Sequence, residues 1–299
     1  MSESNKRNFI VHGSILAIAG ILVRIIGMLY RIPVVNIIGS EGNGIYGAAF
    51  NIYNIMLVLS SYGLPMAVSK LVSARFTKKR YKSAAKVLRC SLMVAVCTGG
   101  IAALLVFFGA SFIENVIYGG GLPGLAVPLR ILAPTIFLVA ILGVIRGFFQ
   151  GQSTMIPTAV SQILEQIVNA IVSIAAGYGM MKAFASSPDV AAYGAAGSTL
   201  GTAMGALTAV LFMGFLYAVY TPTFNRLKRK DRHTENQSTG QICKIIIYTM
   251  IPIILGQTFY QISALIDDVM FSNIMVGRDI TKSISCLLYT SDAADEARS

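Results

Sequence analysis

Seven long apolar stretches constrain this chain more than any other feature. They run from Phe9 to Ile38, Tyr46 to Ser69, Val87 to Ala110, Leu125 to Phe149, Met155 to Met181, Val190 to Tyr220 and Ile242 to Leu265. Each reaches the roughly 20 residues that a helix needs to cross bilayer hydrocarbon. In hydrocarbon every backbone N–H and C=O must be satisfied internally, so open strands are excluded and segments of this length become helices. Charged residues are only 12% of the 299 and hydrophobic ones 55%, about half the charge density of a soluble domain. The chain is therefore read as an all-α, polytopic membrane protein.

The 24 Lys and Arg residues, which give a net charge of +11, fall mostly between the apolar segments and in a regular alternation. Lys6 and Arg7 precede the first segment, and Lys70, Arg75, Lys78, Lys79, Arg80, Lys82, Lys86 and Arg89 separate the second from the third. Arg146 ends the fourth, and Arg226, Lys228, Arg229, Lys230, Arg232 and Lys244 cluster between the sixth and seventh. The loop after the first segment carries Glu41 with no Lys or Arg, that after the third has none either, and that after the fifth carries Asp189 with Lys182 at its very start as its one cation. By the positive-inside rule the N-terminus is cytoplasmic and odd segments run outward. This divides the chain into a cytoplasmic N-terminus (1–8), a six-helix lobe (9–220), a basic cytoplasmic loop (221–241) and the start of a second lobe (242–285). The basic loops are topology signals that also attract anionic membrane lipids. No basic domain interleaved with aromatics is present, so nucleic acid is not an expected partner.

Cys90, Cys97, Cys243 and Cys286 form no disulfide framework, and with only His12 and His233 no metal site is expected. The first apolar stretch is longer than the apolar core of a signal peptide and is followed by no cleavage pattern, so it is expected to stay as an anchor. Residues 286–299 read CLLYTSDAADEARS and break with everything before them. They resemble the translated read-through of a sequencing adapter and are set aside as a processing scar, which implies a chain truncated from a longer transporter.

Ionisable residues inside the spans carry the functional information, because each is costly in hydrocarbon unless it meets a partner or a wet cavity. Arg24 and Arg31 lie seven residues apart, nearly on one helical face. Arg130 is in the fourth segment and Glu165 in the fifth. With a rise of about 1.5 Å per residue, Arg24 and Glu165 fall near the midplane, and Arg31 and Arg130 share a depth about 10 Å outward. Two readings follow. Arg24 pairs with Glu165 as a stitch between helices while Arg31 and Arg130 snorkel outward; or the three arginines line a cationic cavity for a phosphate or pyrophosphate, matched by the guanidinium fork, with Glu165 titrating as a coupling group. Gly20, Gly27, Pro134, Pro252 and Gly256 are expected sites of helix bending. Gly194, Gly197, Gly201 and Gly205 offer a smooth face for a neighbouring helix.

Several local strings then become recognisable: RIIGMLYR at 24–31, GSEGNGIYG at 39–47, GLPMAVSK at 63–70, RGFFQG at 146–151 with Pro157, and SQILEQIV at 161–168. Over residues 5 to 285 they resemble the stage V sporulation and polysaccharide-biosynthesis branch of the multidrug/oligosaccharidyl-lipid/polysaccharide exporter superfamily, near the lipid II flippases. The resemblance implies a transporter of twelve to fourteen helices in two lobes around a cavity. It would move an undecaprenyl-pyrophosphate-linked saccharide across a bacterial plasma membrane by alternating access, with Arg24 gripping the pyrophosphate and Arg31 and Arg130 as weaker carry-overs. The multidrug branch of the superfamily commonly places a carboxylate in helix 1, where this chain has arginines, so a cationic drug is a disfavoured cargo.

A cation-coupled drug antiporter of the same fold and a non-transporting scaffold for envelope assembly or sporulation stay open as alternatives. An enzyme is not expected, since there is no phosphate-binding loop, no metal-ligand cluster and no nucleophile with a base. No cofactor or ATP use is expected.

Overall fold

A computed structural model describes residues 3–231 and 238–277; the tail singled out above lies outside them. Among the described residues there are helices and turns and no strand: α1 Glu3–Ser60, α2 Leu64–Thr77, α3 Tyr81–Phe112 continuing as a π-helical turn Ile113–Ile117, α4 Ala126–Gly151, α5 Ile156–Ala183, α6 Val190–Lys230 and α7 Thr239–Gly277. Among the described residues six helical stretches are long and apolar enough to cross a membrane.

The first of those stretches, Leu16–Thr77, is 62 residues long and makes two passes. Gly39 inside α1 has φ 71° and ψ −179°, a left-handed conformation that costs glycine little. Before Gly39 the chain runs alongside α5 in the same direction, with Gly27 against Gln166 and Tyr30 bonded to Asn169. After Gly39 it descends alongside α4, where Pro65 meets Gly143, Val68 meets Gly147 and Val72 meets Gly151. Since α4 and α5 are antiparallel across a four-residue connection, the first arm of α1 and the α2 continuation of the stretch run in opposite senses.

The second apolar segment is also interrupted. The helix ends at Ser60 and restarts at Leu64, with Pro65 in the first turn of α2, the position where a missing N–H costs nothing. Hydropathy is blind to this break because both sides are apolar. The expected bends at Pro134 and Pro252 do not interrupt α4 or α7. Their carbonyl partners are lost without the helix ending; the reversal comes instead at Gly39.

The basic stretch between the second and third apolar segments is largely helical. α2 continues to Thr77 and α3 begins at Tyr81, leaving a turn in which Lys79 has φ 55°. α6 likewise runs on to Lys230, so its last turn carries Lys228, Arg229 and Lys230, favourable at a helix C-terminus. Phe76, Phe148 and Phe224 meet in an aromatic cluster at this end, with Phe76 and Phe224 stacked at 6.1 Å. At the other end Glu114 accepts from the backbone N–H of Gly124 at 3.0 Å and of Ala126 at 2.8 Å, pinning the 118–125 connection to the start of α4.

The glycine face of α6 is where α5 lies. A Cβ on Gly201 would fall on Ser173 Oγ and come within 2.6 Å of the Asn169 carbonyl oxygen, and one on Gly205 would come 2.6 Å from that of Glu165. Large apolar side chains such as Ile101, Leu104, Phe108, Leu211 and Phe215 are exposed. Exposed apolar surface on this scale is expected of a protein whose solvent is lipid.

Candidate functional site

Arg24 and Arg31 stand on the first arm of α1. That arm buries Ala19, Val34 and Ile38 against the rest of the lobe, and at 100° per residue both arginines fall on one flank of that stripe. Both are exposed. Tyr30, next to Arg31, accepts from Asn169 Nδ2 of α5 at 3.3 Å, so this stretch of the arm lies against α5. Among the described residues neither arginine is in an ion pair.

The expected tie between Arg24 and Glu165 is not what forms. Glu165 Oε2 accepts from Arg146 Nη2 at 2.7 Å, and Arg146 Nε donates to Ser161 Oγ at 2.9 Å. The reason is helix register. Arg146 sits five residues before the end of α4 and Glu165 nine residues into α5, so the short connection brings both to one depth. Their side chains are 14% and 26% exposed, so each charge has lost much of its water and keeps a partner instead. Reading Arg146 only as a topology charge missed this. The available signal was its place inside an apolar segment, opposite Ser161 and Glu165 at helical spacing.

α5 presents a polar seam at four-residue spacing: Ser161, Glu165, Asn169 and Ser173. Asn169 Nδ2 donates to the Tyr30 hydroxyl at 3.3 Å and its Oδ1 accepts from Ser173 Oγ at 2.9 Å. Ser173 Oγ is also 2.8 Å from the Ser198 carbonyl oxygen, and Thr202 Oγ1 is 3.5 Å from Asn169 Oδ1. The seam thus links α4, α5, α6 and the first arm of α1. Sequence reasoning picked Glu165 from it and passed over Asn169 and Ser173, uncharged residues whose weight comes from burial.

Arg130 is exposed and turned toward α3, where its Nη2 donates to Ser111 Oγ at 2.8 Å. Its hydrogen-bond partner among the described residues is therefore not on α1, and the structure does not gather it with Arg24 and Arg31. Among the described residues no group of three His, Cys, Asp or Glu could hold a metal. Among the described residues the site has two guanidinium groups in no ion pair and one carboxylate paired with Arg146.

The family described as polysaccharide biosynthesis protein matches residues 10–279. The lipid II flippase MurJ of Bacillus subtilis (strain 168) is 34% identical over 176 residues, 57% of this chain and 32% of that protein. Stage V sporulation protein B of the same organism is 30% identical over 210 residues, 70% of this chain and 39% of that protein. The matched stretches thus cover about a third to two fifths of the length of these two relatives. In fold it is similar to an outward-facing multidrug resistance transporter of the MATE family and MOP superfamily, with a TM-score of 0.65 at 17% identity, covering 93% of this chain and 58% of that one.

Proposed function

The chain belongs to the polysaccharide biosynthesis protein family, and on that premise we propose that it supplies the substrate-gripping lobe of a flippase. The cargo is an undecaprenyl-pyrophosphate-linked saccharide, such as lipid II or another envelope precursor, moved across the bacterial plasma membrane by alternating access. One observation carries this reading: Arg24 and Arg31 share an exposed flank of α1, while the nearby carboxylate, Glu165, is held by Arg146. Among the described residues neither arginine is in an ion pair, and guanidinium forks suit pyrophosphate oxygens. A cationic cargo would meet repulsion there. The name of one relative, a lipid II flippase, supports the lipid-linked saccharide class.

The test is complementation of a flippase-depleted strain by the full-length gene, with membrane abundance followed by blotting. Arg24→Ala is expected to abolish growth at normal abundance, and Arg24→Lys to restore it poorly, since an ammonium cannot reproduce the bidentate fork. Adding Glu165→Ala to Arg24→Ala is expected to recover nothing, because Glu165 is not the partner of Arg24. Normal growth with Arg24→Ala would sink the cationic-cavity reading.

A further inference from the structure

The polar seam of α5 has a neighbour that the pairing of Glu165 does not account for. Ser161, Glu165, Asn169 and Ser173 each have a hydrogen-bond partner. Gln166 is partly buried beside them, yet among the described residues its side-chain amide is in no hydrogen bond. Gln162, one turn earlier, shares this lack of a partner, but it is Gln166 that a contact with α1 places. An amide that has given up water without gaining a partner is costly in hydrocarbon, and packing alone would be served as well by an apolar side chain of the same length.

The first arm of α1 fixes where that amide stands. A Cβ built on Gly27 would come 3.1 Å from Gln166 Nε2, and Tyr30 is bonded to Asn169. From one contact to the next both helices advance by three residues, so α1 and α5 lie side by side in register through this stretch. Arg24 and Arg31 are seven residues apart, about 10 Å of helix rise, and Gly27 falls close to the midpoint. At 100° per residue the three positions lie within about 60° of one another around α1. A single anion reached by both arginine side chains is therefore held at the level of Gly27, the level of the Gln166 amide. With glycine there, α1 itself puts no side chain between the two arginines.

We propose that Gln166 is a ligand of the cargo's diphosphate head, donating an amide N–H to a phosphate oxygen held between Arg24 and Arg31. The inference rests on the cationic reading of the α1 flank and adds to it a residue from a second helix. An amide supplies a directional donor without a third positive charge. It favours an anion whose oxygens extend toward α5, and it adds less attraction to be overcome on release than another guanidinium would.

The experiment measures binding of undecaprenyl diphosphate, and of the uncharged undecaprenol, to the detergent-purified full-length protein by native mass spectrometry. Gln166→Met keeps the length of the side chain and is expected to weaken diphosphate binding about tenfold, the scale of one hydrogen bond to a charged group. Undecaprenol binding and elution on gel filtration are expected to stay those of the wild type. Gln166→Glu sets a carboxylate against the anion and is expected to weaken diphosphate binding further than Gln166→Met does. Wild-type diphosphate binding by Gln166→Met, beside a loss in Arg24→Ala, would overturn the ligand role and leave the cationic flank standing. Equal weakening of both probes by Gln166→Met would make Gln166 a packing residue and overturn the role as well. Undiminished diphosphate binding by Arg24→Ala would overturn the cationic flank, and this inference with it.

Discussion

At the residue scale, the partner of a buried charge decides what that charge can do. Glu165 pairs with Arg146 at 2.7 Å, and removing one member leaves the other without compensation in a desolvated place. Breaking such a pair costs more than the pair contributes by itself. Glu165→Ala and Arg146→Ala are each expected to destabilise the protein, and the double substitution to cost less than the sum of the two. The coupling energy is expected on the order of 2 kcal/mol, below the range for fully buried pairs because both side chains keep some solvent. Thermal unfolding in detergent measures it, and strict additivity would remove the pair from the account of stability. Coupling to transport is a separate question. If protonation of Glu165 releases Arg146 during the cycle, Glu165→Gln in the full-length protein should flatten the pH dependence of flipping measured in vesicles. Retention of the wild-type pH profile would leave Glu165 a static tie.

At the scale of elements, the lobe is assembled on glycine faces. α5 lies on α6 at Gly197, Gly201 and Gly205, and α2 lies on α4 at Gly147 and Gly151. Without a hydrophobic drive between helices in lipid, close van der Waals approach is what holds them together. Gly201→Leu would drive a side chain into Ser173 and the α5 backbone, and overpacking of this kind costs on the order of 1–3 kcal/mol or more. The expected outcome is a lower melting temperature and loss of the Asn169 network with it. Gly109→Leu, at a position with open space around it, is the control and should change little. Similar losses at both positions would mean that the α5 to α6 contact is not special.

At the scale of the whole molecule, charge is sorted to one end. Lys78 to Arg80 and Arg226 to Lys230 lie at the same end as the 152–155 connection, while 118–125 and 184–189 lie at the other. We assign the basic end to the cytoplasm on the positive-inside rule. In a cysteine-free background, Lys79→Cys should be protected from a membrane-impermeant thiol reagent in intact cells and Gly120→Cys labelled by it. Strong external labelling at position 79 would reverse the orientation.

Much of this architecture was legible from local chemistry. Segment length and the absence of charge select membrane helices, because hydrocarbon tolerates little else, and the repeated glycines in α6 mark a helix contact because only a missing Cβ lets backbones approach so closely. The pair of arginines on α1 was likewise readable from seven-residue spacing. Pairing was not. Whether Glu165 meets Arg24 or Arg146 depends on the relative register and rotation of three helices, which no one segment encodes, and a depth estimate along each helix cannot separate two arginines on different neighbours. The turn at Gly39 and the break before Pro65 escape hydropathy because apolar residues flank both. Arg130 could be placed at the depth of Arg31 from its residue number, yet its turn toward Ser111 on α3 follows from how α4 packs, and only the assembled lobe sets that rotation.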